Sequence, residues 1–387
     1  MALIVQKFGG TSVGSIDRIN YVASIIASNL SQNNQLVVVV SAMSGETNRL
    51  ITLANQVDVN AKDTELALIT TTGEQISVGL LSIALTKLGI DNDCFLGWQL
   101  PIVTTDNYTQ ARICNINNQK LLSTIKQNKV AIVAGFQGIS KSGHLSTLGR
   151  GGSDTSAVAL AVSLNADECQ IYTDVDGIYN CDPNQIATAK KIDTIDGISM
   201  IEAASLGAKV LHVRSCELAY RYHINLRVLS SFNPNNKGTL VMNQTELENY
   251  PIINLSVIEN QSLINFEIST NQLSKLLANL YQIGSLDMIN LHANNVSFAC
   301  DSSISDKLIN AISAYPQTTN VTKLDQLNKI SLIGSGFRSN QDLNQKVWEL
   351  LDDTEIFSIT HNEISMSFLI HNWDKARVRN ELSKILM

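Results

Sequence analysis

Three short stretches carry polar residues whose types and spacing could do chemistry: Lys7 in VQKFGGTS, Glu74 in TTGEQISVGLL, and Arg150 with Ser153 and Asp154 in TLGRGGSDTSAVALAVSL. A lysine beside Phe8 and the paired Gly9 and Gly10 could neutralise a phosphate that the backbone approaches closely. The segment lacks both the Gly-x-x-x-x-Gly-Lys of a P-loop and the third glycine of a dinucleotide fingerprint, so a plain turn stays equally open at this point. Arg150 could grip a carboxylate or phosphate with two parallel hydrogen bonds. Ser153 and Asp154 fall at the N-cap and first turn of an apolar helix, whose amides favour an anion. Asp154 suits an ammonium or a metal; alternatively it caps the helix and pairs with Arg150. Glu74 is either a first-turn glutamate favoured by the helix dipole or a fixed acceptor for a substrate amine.

Other constellations exclude themselves by spacing. Asp174, Asp176 and Asp182 in IYTDVDGIYNCDP invite a calcium reading, but the glycine follows the second aspartate directly and no closing glutamate is placed for an EF-hand. A strand-end loop receiving a nucleotide fits those residues better. Lys209 in SLGAKVLH is a surface helix lysine or a phosphate partner. The six histidines form no Ser-His-Asp or metal pattern, and the three tryptophans lack a surrounding basic stripe. The six cysteines include no C-x-x-C pair, which points to reduced thiols in a cytoplasmic protein rather than to zinc or a disulfide framework. A net charge of -7 without a basic block argues against a nucleic-acid surface, and no uninterrupted apolar run suggests a membrane span. No metal site is expected in the chain itself.

The elements that must position these groups follow from hydrophobic period. Runs at 2–8, 35–41, 129–135, 168–174 and 226–231 are continuously apolar and β-branched, as in strands buried on both faces of a parallel sheet. Helical spacing covers 14–30, 64–88, 153–164 and 198–222. Open α/β sheets bind ligands at the carboxyl ends of their strands. FGGTS, SAMSGETN, GFQG and TDVDG follow the first four strands, so four polar loops converge on one edge. Beyond residue 245 the rhythm changes. One β-α-β-β-α pass has strands at 262–268, 286–291, 295–299 and 318–323 with helices at 270–282 and 304–315. A second has strands at 328–333, 355–360 and 364–370 with helices at 340–352 and 374–386, and lacks its last strand. The surplus run PIINLSVI at 251–258 would supply that strand, which inserts the first module inside the second.

Taken in order, KFGGTS, VVVSAMSGETNRL, TTGEQIS, TLGRGGSDTSAVALA, TDVDGIY and SLGAKVLH resemble the aspartate kinases of the amino-acid kinase superfamily. KISLIGSGFRS and NEISMSFLI extend the resemblance into the last module. It implies an α/β fold with a mostly parallel sheet sandwiched by helices over residues 1–245, followed by two ferredoxin-like βαββαβ ACT modules. The first module would occupy 262–325 and the second 251–258 plus 326–387.

The implied activity is direct transfer of the ATP γ-phosphoryl group to the side-chain carboxylate of L-aspartate, the first step towards lysine, threonine and methionine. Carried onto matching positions, Lys7 neutralises the transferring phosphate and, with Asp154, forms the catalytic set. Ser41, Thr47, Glu74, Arg150, Ser153 and Asp154 hold aspartate. Lys7, Phe8, Gly9, Gly10, Thr173, Asp174, Tyr179 and Lys209 line the nucleotide site, and Mg2+ arrives with ATP. Asn184 and Val213 replace the arginine and proline usual in the family. ACT modules imply a homodimer or higher homo-oligomer and a lysine or threonine effector. The first module lacks the glycine- and proline-bearing loop common in effector-binding copies, so a purely structural role for it stays open. The alternatives are a kinase acting on glutamate or its N-acetyl derivative, and a non-catalytic amino-acid sensor.

Overall fold

Leu36 to Val40 form a fully apolar run in which Val37, Val38, Val39 and Val40 have no exposed surface, and this strand lies at the heart of an eight-stranded sheet. The sheet is seen in a computed structural model that describes residues 2–242, 252–334, 336–337 and 340–386. Pro251 of the surplus run, residues 243–245, the terminal methionines, and Ser335, Arg338 and Ser339 of KISLIGSGFRS lie outside the described residues. The strand order is Thr194–Asp196, Thr239–Met242, Leu226–Ser230, Glu168–Thr173, Leu3–Phe8, Gln35–Val40, Val130–Ala134 and Asn92–Phe95. All neighbours run parallel except Leu226–Ser230 against Thr239–Met242. Helices Ile16–Ser31 and Thr72–Lys87 press Ile19, Val22, Ile26, Leu81 and Leu85 onto Val38, Val40 and Ile132. β-Branched strands buried on both faces therefore read as expected.

Two expected helices are each broken. The 64–88 pattern resolves into Asp63–Thr70 and Thr72–Lys87, because the hydroxyls of Thr70, Thr71 and Thr72 fold back onto the carbonyls of Leu66, Leu68 and Ile69. Its length and composition alone would suffice to cross a membrane, yet Leu81 and Leu85 pack in the sheet's core. The 198–222 pattern resolves into Gly197–Ser205 and Val213–Arg221. Lys209 consequently stands on the connection between two helices and not on a helix.

The chain divides into two compact units, the first comprising 1–178, 191–204 and 209–246, the second 179–190, 205–208 and 247–387. The short pieces 179–190 and 205–208 thus group with the carboxy-terminal residues. Within the second unit, a six-stranded antiparallel sheet has the order Asp287–His292, Asn295–Asp301, Ile252–Glu267, Thr319–Gly334, Ser365–His371 and Ile356–His361. The expected strands at 251–258 and 262–268 are one 16-residue strand, and those at 318–323 and 328–333 are another. Residues 252–258 pair with 329–334, whereas 261–267 pair with both 295–301 and 319–327. A bulge, not a turn, separates the halves: the register slips between Ile258 and Gln261, with Asn260 at φ 56° and Gln326 at φ 61°.

Each half of that sheet carries its own apolar cluster. Helices Thr270–Ile283 and Ser302–Ser313 cover Phe266 and Phe298, and helices Gln341–Leu350 and Lys375–Ser383 cover Ile330 and Phe368. Phe298 is fully buried and meets Phe266 edge to face at 6.2 Å. Replacing it by alanine should lower the unfolding free energy of the second unit by about 3–5 kcal/mol, the range for a large aromatic truncation in a core. The urea midpoint followed by circular dichroism checks this, and an unchanged midpoint would remove Phe298 from the core.

Candidate active site

The four loops expected at the sheet's carboxyl edge do converge, on a cleft of about 520 Å³ walled by Lys7, Gly9 to Thr11, Ser41 to Gly45, Thr47, Asn48, Phe136, Gly149 to Asp154, and Thr173 with Asp174. Glu74, Lys209 and Val210 complete the wall. Lys7, the penultimate residue of its strand, reaches Asp154 in the first turn of helix Gly152–Leu164, with Nζ to Oδ1 at 2.7 Å and side chains only 11 and 13% exposed. Asp154 therefore pairs with Lys7 and not with Arg150. Arg150 is exposed at the mouth, and its guanidinium meets no protein acceptor among the described residues.

Glu74 owes its place to its neighbour. A Cβ on Gly73 would stand 2.8 Å from the Cβ of Ala42, so only glycine lets this helix start so close to the second strand's loop. That approach delivers the Glu74 carboxyl to the Ala42 amide, which donates to Oε1 at 3.1 Å. Oε2 is buried and has no hydrogen-bond partner among the described residues. Burial pushes the Glu74 pKa from 4.5 up to about 7, the Ala42 hydrogen bond offsetting part of the rise. A buried carboxyl with one vacant oxygen beside an unpaired arginine is the complement of a zwitterion's ammonium and carboxylate.

The cleft also offers N–H groups. Among the described residues, the amides of Gly10, Thr11 and Ser12 donate to no protein acceptor, nor do those of Ser153 and Asp154 at the helix start. A Cβ on Gly10 would meet the Ala42 carbonyl at 2.9 Å, so the bend that presents these amides needs a glycine there. Free amides, a lysine and a helix N-terminus in one cleft are chemically suited to an anion such as a phosphate. Thr173 donates from Oγ1 to Asp174 Oδ1 at 3.1 Å, and both line the cleft, as does exposed Lys209.

Of the residues singled out in the sequence, Lys7, Gly9, Gly10, Ser41, Thr47, Glu74, Arg150, Ser153, Asp154, Thr173, Asp174 and Lys209 share this wall. Phe8 and Tyr179 do not belong to it. The Phe8 ring is fully buried and stacks on Tyr172 at 4.6 Å, since alternate residues of a strand face opposite sides. Tyr179 groups with the second unit, where its carbonyl accepts from Asn254 Nδ2 at 2.9 Å. Thr11, Met43, Ser44, Asn48, Phe136 and Val210 also line the cleft and are outside the expected set, although each falls in one of the quoted stretches. Cys169 and Cys216 are buried, and burial pushes both thiols upward, Cys216 to about 12, which makes neither a nucleophile.

Residues 2–230 match the pattern of the amino acid kinase family. The chain belongs to that family. Its branch is the aspartokinases: the aspartokinase of Rickettsia felis is 39% identical, with 97% of this chain and 96% of the relative covered. The structure of E. coli aspartokinase III in complex with aspartate and ADP, described as an R-state, superposes with a TM-score of 0.84 at 28% identity and covers 99% of both chains. The same enzyme in complex with lysine and aspartate, described as a T-state, gives 0.81 at 27% identity over 100% of both. An aspartokinase fold thus surrounds the cleft built above.

Glu74 makes the ligand-free fold sensitive to pH. Its folded pKa of about 7 exceeds the ordinary 4.5, so the stabilisation from the buried, protonated carboxyl is complete below about 4.5 and is lost as pH rises through 7. The difference amounts to roughly 3 kcal/mol. Glu74→Gln, neutral throughout, should therefore gain thermal stability over the parent at pH 8 and lose that advantage near pH 4.5. Melting temperatures at the two pH values check this; a gap independent of pH would show that Glu74 titrates normally.

Proposed function

We propose that the protein transfers the γ-phosphoryl group of ATP to the β-carboxylate of L-aspartate, giving 4-phospho-L-aspartate and ADP. The observation that carries this reading is the unequal treatment of two carboxylates in one cleft: Asp154 is taken by Lys7, and Glu74 is left with a vacant oxygen. The α-ammonium of aspartate goes to Glu74, its α-carboxylate to Arg150, and Ser41, Thr47 and Ser153 help to place the chain. Asp154 was expected to share the ammonium; with Lys7 on it, its role is to aim that lysine.

The acceptor needs no general base, because a side-chain carboxylate is already ionised near neutral pH. One of its oxygens attacks the γ-phosphorus as the bond to the ADP oxygen breaks, without a phosphoenzyme. The work left to the protein is alignment and charge stabilisation. Lys7 and the free amides of Gly10 and Thr11 face the phosphates, while Thr173, Asp174 and Lys209 take the rest of the nucleotide. Magnesium comes with ATP, held mainly by phosphates and water, and spreads the phosphate charge. Among the described residues no cluster of three His, Cys, Asp or Glu side chains would compete for it.

The kinase unit extends through residue 245 and the remainder forms two ACT modules, 262–325 and 251–258 with 326–387, in a cytoplasmic homo-oligomer. Lysine, the ligand in the E. coli T-state complex, is the effector these modules bind.

Hydroxylamine trapping with ATP, magnesium and each candidate acid tests the activity. Aspartyl hydroxamate should form and glutamyl hydroxamate should not; the reverse would transfer the reading to a glutamate kinase, and neither product would end it. Lys7→Ala should lower kcat by about 10²–10³ through loss of one charged transition-state contact, and near-normal turnover in a folded variant would misplace the lysine. Lysine should inhibit in a titration of activity, and an unresponsive enzyme would remove it as effector.

A further inference from the structure

Behind the free amides runs a chain of hydrogen bonds that no cleft residue explains. Ser12 closes the loop Gly9 to Ser12; it is fully buried, and its Oγ is 2.8 Å from Ser231 Oγ and 3.5 Å from the Tyr172 carbonyl. Ser231 follows the strand Leu226–Ser230, and both its amide (2.9 Å) and its hydroxyl (3.2 Å) reach the Thr173 carbonyl. Arg18 Nη2 donates to Ser231 Oγ at 3.0 Å and to the Ser231 carbonyl at 2.7 Å. Its guanidinium lies 3.8 Å over the Phe232 ring and 5.0 Å from that of Tyr21. The helix carrying Arg18 is itself started by Ser15, whose Oγ accepts from the Arg18 amide at 3.2 Å.

The single protons of the two hydroxyls fix a direction. Arginine can only donate, so Ser231 Oγ must accept from it, which frees the Ser231 proton for Ser12 or Thr173. With that proton on Ser12, the shorter contact at 2.8 Å, the Ser12 proton is left for the Tyr172 carbonyl and the Ser231 amide holds the Thr173 carbonyl. One charged donor thus polarises a relay that ends on two consecutive carbonyls, those of Tyr172 and Thr173, at the end of the fourth strand. The loop bearing the amides of Gly10 and Thr11 and the loop bearing Thr173 and Asp174 share one backbone bond, from the Gly9 amide to the Tyr172 carbonyl at 3.1 Å, and beyond it their side-chain link runs through Ser231.

We propose that Arg18 is a positioning residue for the nucleotide: through Ser231 it sets the spacing between the phosphate loop and the Thr173–Asp174 loop. This rests on the nucleotide site proposed above. Arg18, Ser12 and Ser231 are absent from the cleft wall, so their effect is on geometry and not on direct contact. Truncation should loosen the ATP side of the cleft and spare the aspartate side, where Glu74 and Arg150 belong to other loops.

The test is a double-mutant cycle of Arg18→Met, which keeps apolar bulk over Phe232, with Ser231→Ala, read as KM for MgATP, KM for aspartate and kcat. Arg18→Met and Ser231→Ala should each raise KM for MgATP roughly tenfold, the size of one charge-assisted hydrogen bond, and change KM for aspartate less than twofold. The double variant should be no worse than the poorer single, and Arg18→Lys should recover part of the loss. Additive effects, equal effects on both substrates, or no effect would each overturn the inference. If Arg18→Met does not fold, Ser231→Ala and Arg18→Lys still carry the same ATP-specific expectation. An inactive parent protein would end the kinase reading instead, which keeps the two failures apart.

Discussion

The Lys7–Asp154 ion pair is the contact on which the cleft depends. It binds the end of one strand to the first turn of a helix 147 residues further on, with both side chains almost wholly buried. Removing either partner would strand a buried charge, which costs about 3–5 kcal/mol in comparable sites. With the pair in place, Ser153 and Asp154 at the start of helix Gly152–Leu164 and Gly10 with Thr11, all with free amides, line the same cleft. The pair also leaves the buried Glu74 carboxyl without that lysine, and burial is what raises its pKa.

This division suits phosphoryl transfer to a carboxylate. Donors and a lysine gather where phosphate charge must be held; an acceptor and an unpaired arginine gather where a zwitterion must be held. Two anions have to meet, and a fixed set of donors lowers that cost without reorganising during the reaction.

Much of this was legible in the sequence because the chemistry constrains the backbone. Gly10 and Gly73 occupy places where a Cβ would collide with the second strand's loop, so KFGGTS and TTGEQIS announce their roles. Strand-end loops in a parallel sheet share one edge, which located the cleft before any contact was known. Long-range pairing was not legible. The partnership of Lys7 with Asp154, and of Arg18 with Ser231 across 213 positions, follows from the packing of separate elements and leaves no local pattern. Phe8, next to Lys7 in sequence, turns its ring to the other side of the strand, and Tyr179 groups with the second unit, so neither lines the cleft. In the second unit, irregularities at Asn260 and Gln326 carry two strands straight through points where the sequence pattern divides each into two.

The central claim is that Glu74 ionises to receive the substrate ammonium. Calorimetry of aspartate binding to the ADP-saturated protein at pH about 6.5, in buffers of different ionisation enthalpy, measures it directly. The account predicts release of up to about one proton from the parent protein and almost none from Glu74→Gln. Proton uptake, or release that persists unchanged in the glutamine variant, would contradict it.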